Sequence, residues 1–408
     1  MKKVIALNTV SQLVGRGVGA ATAFIVTLLV ARHVGASGYG DFVKITTYVA
    51  FFYLLADFGI NAVYLQQAGV RTSWPALIHI RTIGGLLLIA AAVVIVCFLP
   101  GTGTAGYTSF VRLGILLYSP TILFQAWITT GNAIFQKRLR YDLAAWAILF
   151  GSLVTVGLLW VLLFLRHMPA VTSALLAMVA GAVVTAATAM SVALRSHPLP
   201  VVRIDGRAMA RLFLPAIPLG VTLLFNLVYF RADSVVITLT RPTAEVGVYG
   251  LAYKVFEVVL VFPTFFMNAV YPIMLKQDRS KFRKFFENSF LFLLIASLLS
   301  LVVVWFAAPA LSLVKSDFTP SIGALRVLSL GLPFFFVTSA TMWALIALKK
   351  QSGLVFIYGA SMAVNLAGNI LFVPAYGFMA AAWMTVASEG LVMALSGLFL
   401  IYEIHRTH

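Results

Sequence analysis

One cysteine, twelve acidic side chains and only 10% charged residues in 408 positions are scarcities that each close off a class of protein. A single thiol, Cys97, forms no internal disulfide and supplies neither a thiolate metal cluster nor a paired-cysteine redox motif. Lying inside an apolar run, it reads as packing. Soluble domains carry about a quarter charged residues, so this chain is too poor in charge to be one. No GxxxxGK[ST] run is present to hold nucleotide phosphates. The six histidines fall in connections, near the ends of apolar runs or at the tail. A membrane polymerase or ligase would need acid or base groups on outer loops, and the outer connections here are short. No enzyme, metal or organic cofactor is expected.

What is abundant is apolar sequence, 62% of the chain. A helix crosses the hydrocarbon layer with about 20 apolar residues, and lipid leaves no backbone group unsatisfied. Twelve such runs occur, near 8–30, 42–64, 77–99, 111–135, 141–165, 170–194, 212–239, 248–272, 285–308, 322–348, 353–373 and 377–402. The first follows Lys2 and Lys3 as a signal peptide would. Asn8, Gln12 and Arg16 interrupt it, and no small-residue cleavage site closes it, so it is expected to remain as a helix. The net charge of +17 would point to nucleic acid in a soluble protein. Here it sets orientation. With both termini in the cytoplasm, nineteen Lys and Arg, Arg71 and Arg81 among them, fall on inner segments, six on outer ones and four in or beside spans. The expected location is a bacterial inner (plasma) membrane, with no nucleic-acid partner.

The longest connection, 195–211, carries Arg203, Arg207 and Arg211 at helical spacing. They form either a basic face for anionic headgroups or ordinary inner-loop charge. This segment divides the chain into a six-helix bundle at 1–194, a cytoplasmic basic linker at 195–211 and a second bundle at 212–408. The halves are related: GASGYGDFVK at 35–44 matches AEVGVYGLAYK at 244–254, setting Tyr39-Gly40 on Tyr249-Gly250 and Lys44 on Lys254. Six spans per half is an even number, so both halves enter the membrane the same way. The expected fold class is therefore all-α and integral to the membrane, two pseudo-twofold-related bundles around a central cavity.

Three stretches resemble Wzx-type oligosaccharide flippases, which are polysaccharide transporters of the multidrug/oligosaccharidyl-lipid/polysaccharide exporter superfamily. They are LLVARHVGASGYGDF (28–42) with ADFGI (56–60), RADSVVITLTRPTAEVGVYGLAYKVFEVV (231–259), and NLAGNILFVPAYGFMAAAWMTVASE (365–389). The resemblance implies transfer of an undecaprenyl-pyrophosphate-linked oligosaccharide from the cytoplasmic to the outer leaflet by alternating access. It also implies membrane lipids and other polysaccharide assembly proteins as partners. An ion-coupled multidrug extruder of the same superfamily is the alternative.

Arg16, Lys44, Asp57, Arg231, Asp233, Lys254, Glu257 and Glu389 lie in or at the edge of the spans. Each would cost about 2.5–3.5 kcal/mol at the bilayer centre if it faced lipid, so each should face the bundle interior or water. Counting residues puts Arg16 and Asp57 at one depth, within pairing reach. Arg231, with Asp233 or Glu257 for a partner, and Lys254 share a second layer, and Glu389 sits near the midplane. An arginine fork suits a pyrophosphate. Asp57, Glu257 and Glu389 are candidates to take up H+ or Na+ from a gradient, against a role in interior hydrogen bonding. Asn61, Asn226, Asn365 and Asn369 are candidate glycan contacts, with helix-to-helix bonding as the other reading.

Overall fold

A computed structural model describes residues 2–66, 74–195, 205–275 and 279–406. Arg71, Arg203 and most of the expected linker lie outside these residues. The described chain is almost wholly helical, with eleven stretches long and apolar enough to cross a membrane. The first, Val10–Gln66, has 57 residues, about 85 Å of helix at 1.5 Å per residue. That is more than twice the hydrocarbon thickness. It breaks at Gly35 (φ 72°, ψ −170°), so it makes two crossings and brings the count to twelve.

The chain forms two compact units, residues 1–34 with 41–227 and residues 35–40 with 228–408. This boundary differs from the expected one. The start of the seventh span belongs to the first unit, because the helix that precedes it buries its apolar side there.

In the first unit, α1 (Lys2–Asp57) is followed by α2 (Ile60–Gln66), α3 (Trp74–Phe98) and a two-residue hairpin, Gly101–Thr102 with Ala105–Gly106. Next come α4 (Ser109–Tyr118), α5 (Thr121–Lys137), α6 (Tyr141–Trp160), α7 (Ala170–Leu194), the short α8 (Gly206–Phe213) and the beginning of α9 (Ile217–Thr240). Helices α6 and α7 meet through small residues: Thr155 lies on Gly181 and Thr185 on Gly151. Gly15 of α1 sets its backbone against Ala145 of α6. Dispersion rather than hydrophobic expulsion holds helices together in lipid, and small residues permit that approach. Cys97 is exposed and donates to the Val93 carbonyl at 3.2 Å. It does not pack into the interior as expected, because α3 turns that side outward.

The second unit holds the rest of α9, then α10 (Thr243–Met274), α11 (Arg279–Ala307), α12 (Thr319–Leu330), α13 (Leu332–Ala347), α14 (Gln351–Tyr376) and α15 (Phe378–Arg406). The 35–40 segment packs on the first turns of α10. A Cβ on Gly247 would collide with the Ala36 carbonyl, and one on Gly40 with the Thr243 carbonyl. The two segments matched in sequence therefore touch each other through backbone. At the tight turn between α14 and α15, Gly377 has φ +67°. Arg241 donates to the Pro374 carbonyl (3.1 Å) and to Glu245 (2.7 Å), and Glu245 accepts from the Phe378 N–H (3.1 Å). One ion pair thus caps the end of α14 and the start of α15.

The fourth span of each half is broken by proline, at Pro120 between α4 and α5 and beside Pro333 between α12 and α13. The internal relationship thus extends to the interruptions.

Candidate functional site

Helix α10 repeats Tyr249, Tyr253 and Glu257 at four-residue spacing, which puts all three on one face. That face meets the charges of α9. Arg231 donates to Glu257 Oε1 at 2.8 Å and lies 5.8 Å from the centre of the Tyr253 ring, a cation–π distance. Lys254 donates to the other oxygen of Glu257 at 3.2 Å. The three side chains are 29%, 30% and 28% exposed. Two cations on one carboxylate leave one positive charge and the remaining guanidinium N–H groups accessible, held in place by an aromatic ring. Of the two partners expected for Arg231, the structure selects Glu257.

Asp233 goes elsewhere. Only 3% exposed, it accepts from the Tyr249 hydroxyl, from the Ser234 N–H at 2.6 Å and from Thr385 at 3.4 Å. Glu389 is 2% exposed and accepts from Tyr229 at 2.8 Å. The adjoining Ser388 hydroxyl accepts from Asn365 at 2.8 Å, and Asn369 donates to the Asn365 carbonyl and side-chain oxygens at 2.9 and 3.1 Å. These residues form a sealed polar seam joining α9, α14 and α15. Asn365 and Asn369, expected as glycan contacts, are 3% and 0% exposed. In this state Asn365 bonds α14 to α15 through Ser388, while Asn369, among the described residues, donates only to Asn365 on its own helix and keeps a buried side-chain oxygen without a hydrogen-bond partner.

In the first unit, the expected pairing of Arg16 with Asp57 is not formed. Asp57 is taken by Arg81 of α3, whose guanidinium donates to Asp57 Oδ1 at 2.8 Å, to Asn61 Oδ1 at 2.7 Å and to the Ala56 carbonyl. Asn61 in turn donates to the Thr129 carbonyl at 3.0 Å. The cause is local backbone geometry: α1 ends at Asp57, Phe58 and Gly59 take positive φ, and α2 starts again at Ile60. The break frees carbonyls at a helix C-terminus, where a guanidinium is the best available donor. Sequence alone groups Arg81 with the cations of the inner segments. Its sequence signal was Trp74-Pro75, a helix start that puts Arg81 two turns inside α3.

Arg16 is exposed, and no ion-pair partner for it is found among the described residues. The side chain of Asn226 lies outside them. Lys44, the repeat counterpart of Lys254, is 1% exposed and donates to the Gly106 carbonyl at 2.9 Å. The structure therefore gathers Asp57 with Asn61, Arg231 with Lys254 and Glu257, and Asp233 and Glu389 with the asparagine seam. Arg16 joins none of these groups.

The sequence profile of a family described as "Polysaccharide biosynthesis protein" matches residues 5–278. Among solved structures, lipid II flippase MurJ in an inward closed conformation is similar, with a TM-score of 0.78 at 15% identity over 97% of this chain and 87% of that one. An inward-facing multidrug resistance MATE family transporter of the MOP superfamily gives 0.68 at 14% identity over 98% and 95%. A MOP superfamily transporter from Pyrococcus furiosus gives 0.65 at 14% over 99% and 96%. No curated protein matches the chain. At these identities the structural likenesses establish the fold alone, and with the described apolar helices they make the chain a multi-pass membrane protein.

Proposed function

The chain belongs to the polysaccharide biosynthesis protein family, and on that premise we propose that it is a flippase for an undecaprenyl-pyrophosphate-linked oligosaccharide. It would move this cargo from the cytoplasmic to the outer leaflet of a bacterial plasma membrane by alternating access, for assembly of O-antigen, capsule or exopolysaccharide. Both termini would be cytoplasmic. Other polysaccharide assembly proteins would supply and receive the cargo. The fold shared with lipid II flippase MurJ supports a lipid-linked substrate.

The observation that carries this reading is the Arg231, Lys254 and Glu257 cluster. A diphosphate needs a cation that is fixed and still approachable, and an arginine held on one side by a carboxylate keeps donors for two phosphate oxygens on the other. The cluster is one-third open, has a net positive charge and sits on a tyrosine ring. Asp57, pinned on one oxygen by Arg81 and 35% exposed, would accept from glycan hydroxyls together with Asn61.

Energy for transport would come from an H+ or Na+ gradient. Asp233 and Glu389 are buried on neutral donors with no cation within ion-pair distance among the described residues. A charge so placed is expensive, and an incoming proton or sodium ion relieves that cost. The same carboxylates favour a second reading, an ion-coupled extruder of cationic drugs, which the likeness to MATE transporters also fits.

Deletion of the gene, followed by mass spectrometry of isoprenoid-linked saccharides, separates the two. Accumulation of one such lipid, reversed by the intact gene, supports the flippase. No accumulation together with new drug sensitivity supports the extruder.

A further inference from the structure

An aromatic ring steadies a cation only if the ring is itself fixed, and the ring beneath Arg231 is fixed by its surroundings. Tyr253 is 4% exposed, and its neighbours on α10 are Tyr249, 5.6 Å away between ring centres, and Phe256 at 5.9 Å. Phe256 meets Phe335 of α13 edge-on at 5.4 Å, and Phe335 stacks on Phe230 of α9 at 6.2 Å. The Tyr253 hydroxyl then donates to the Phe230 carbonyl at 3.2 Å. Four residues on three helices thus close a circuit of aromatic contacts and one hydrogen bond.

The polar link has a particular address. It ends on the residue immediately before Arg231, so the ring under the guanidinium is tied to the backbone that carries it. Tyr249, one turn earlier on the same face, does not share this role, because its hydroxyl goes to Asp233. Glu257, one turn later, takes one N–H group of Arg231. A long side chain restrained at one edge alone still swings. With its face against a locked ring as well, the guanidinium keeps its remaining N–H groups in one direction.

We infer that Tyr253 is the positioning residue of the cation site: its ring and its hydroxyl together hold Arg231 ready for the diphosphate before the cargo arrives. The inference rests on the diphosphate reading of Arg231. Ordering one flexible side chain in advance is worth roughly two- to tenfold in affinity. The hydroxyl is the part that can be removed alone, since a phenylalanine keeps the ring and its aromatic neighbours.

The test titrates the purified full-length protein in detergent with undecaprenyl pyrophosphate, and with undecaprenol as the same chain without phosphates, counting bound lipid by native mass spectrometry. The intact protein should prefer the diphosphate, and Arg231→Ala should remove most of that preference. Tyr253→Phe should weaken diphosphate binding roughly two- to tenfold and leave undecaprenol binding unchanged. Tyr253→Leu, which removes the ring as well, should weaken it further. In an Arg231→Ala protein, Tyr253→Phe should change nothing more, because the tyrosine acts through the arginine. Equal diphosphate affinity in Tyr253→Phe and the intact protein would overturn the positioning role while leaving Arg231 its own. So would the same loss with and without Arg231, the mark of a general packing defect. An intact protein that holds both lipids alike would overturn the diphosphate reading and the inference with it.

Discussion

Arg81 and Asp57 form an ion pair at 2.8 Å in which the arginine side chain has no exposed surface and the aspartate keeps 35% of its own. The pair closes the break between α1 and α2 and leaves one carboxylate oxygen presented outward. Removing only the arginine strands a carboxylate, an asparagine oxygen and a backbone carbonyl.

Arg81→Leu should therefore destabilise the protein by about 3–5 kcal/mol, the usual result of breaking a buried pair from one side. Arg81→Leu combined with Asp57→Leu should recover part of that loss. Thermal unfolding in detergent measures both. A double variant no more stable than the single would contradict the pairing.

The two lysines matched by the internal repeat should behave in opposite ways. Lys44 is sealed against the Gly106 carbonyl, so Lys44→Met should cost about 1.5–3 kcal/mol of stability. Lys254 is 30% exposed beside Glu257, so Lys254→Met should leave unfolding nearly unchanged and slow transport. Paired unfolding scans and uptake rates check the contrast. Equal stability losses would mean the two sites are structurally alike.

Asn365→Ala and Asn369→Ala should lower stability by about 1–3 kcal/mol through the polar groups they leave unpaired. Residual folded protein should bind substrate with unchanged affinity. A weakened substrate affinity in a stable Asn369→Ala variant would place that residue at the cargo instead.

Gly247→Val should be poorly tolerated, because any Cβ there meets the Ala36 carbonyl and the helices must separate. A loss of about 1–3 kcal/mol in unfolding is expected for overpacking. Gly157→Val, where nothing lies within 4 Å, is the control.

The twelve crossings were legible in the sequence because lipid forces every span to be long, apolar and helical, and the repeat was legible in Tyr39-Gly40 and Tyr249-Gly250. Partners were harder to read. Span limits fix depth, and depth alone set Arg16 opposite Asp57. The actual choice followed from the positive-φ residues Phe58 and Gly59, which end α1 and leave the Ala56 carbonyl to accept from Arg81. Glu257 could be chosen over Asp233 for Arg231 only once Tyr249 was seen to occupy Asp233. Four-residue spacing puts Asn365 and Asn369 on one helical face, but their burial depends on α15 bringing Ser388, 23 residues farther along the chain, to Asn365.

The central claim is that the accessible cation at Arg231 carries a diphosphate-bearing lipid across the bilayer. Proteoliposomes holding an undecaprenyl-pyrophosphate-linked oligosaccharide and an imposed ion gradient test it, with the fraction of glycan reached by an external lectin followed over time. The intact protein should move glycan between leaflets. Arg231→Ala, still folded, should slow that movement on the order of ten- to a hundredfold, the worth of a charge-assisted hydrogen bond. Undiminished movement in a folded Arg231→Ala protein would contradict the account.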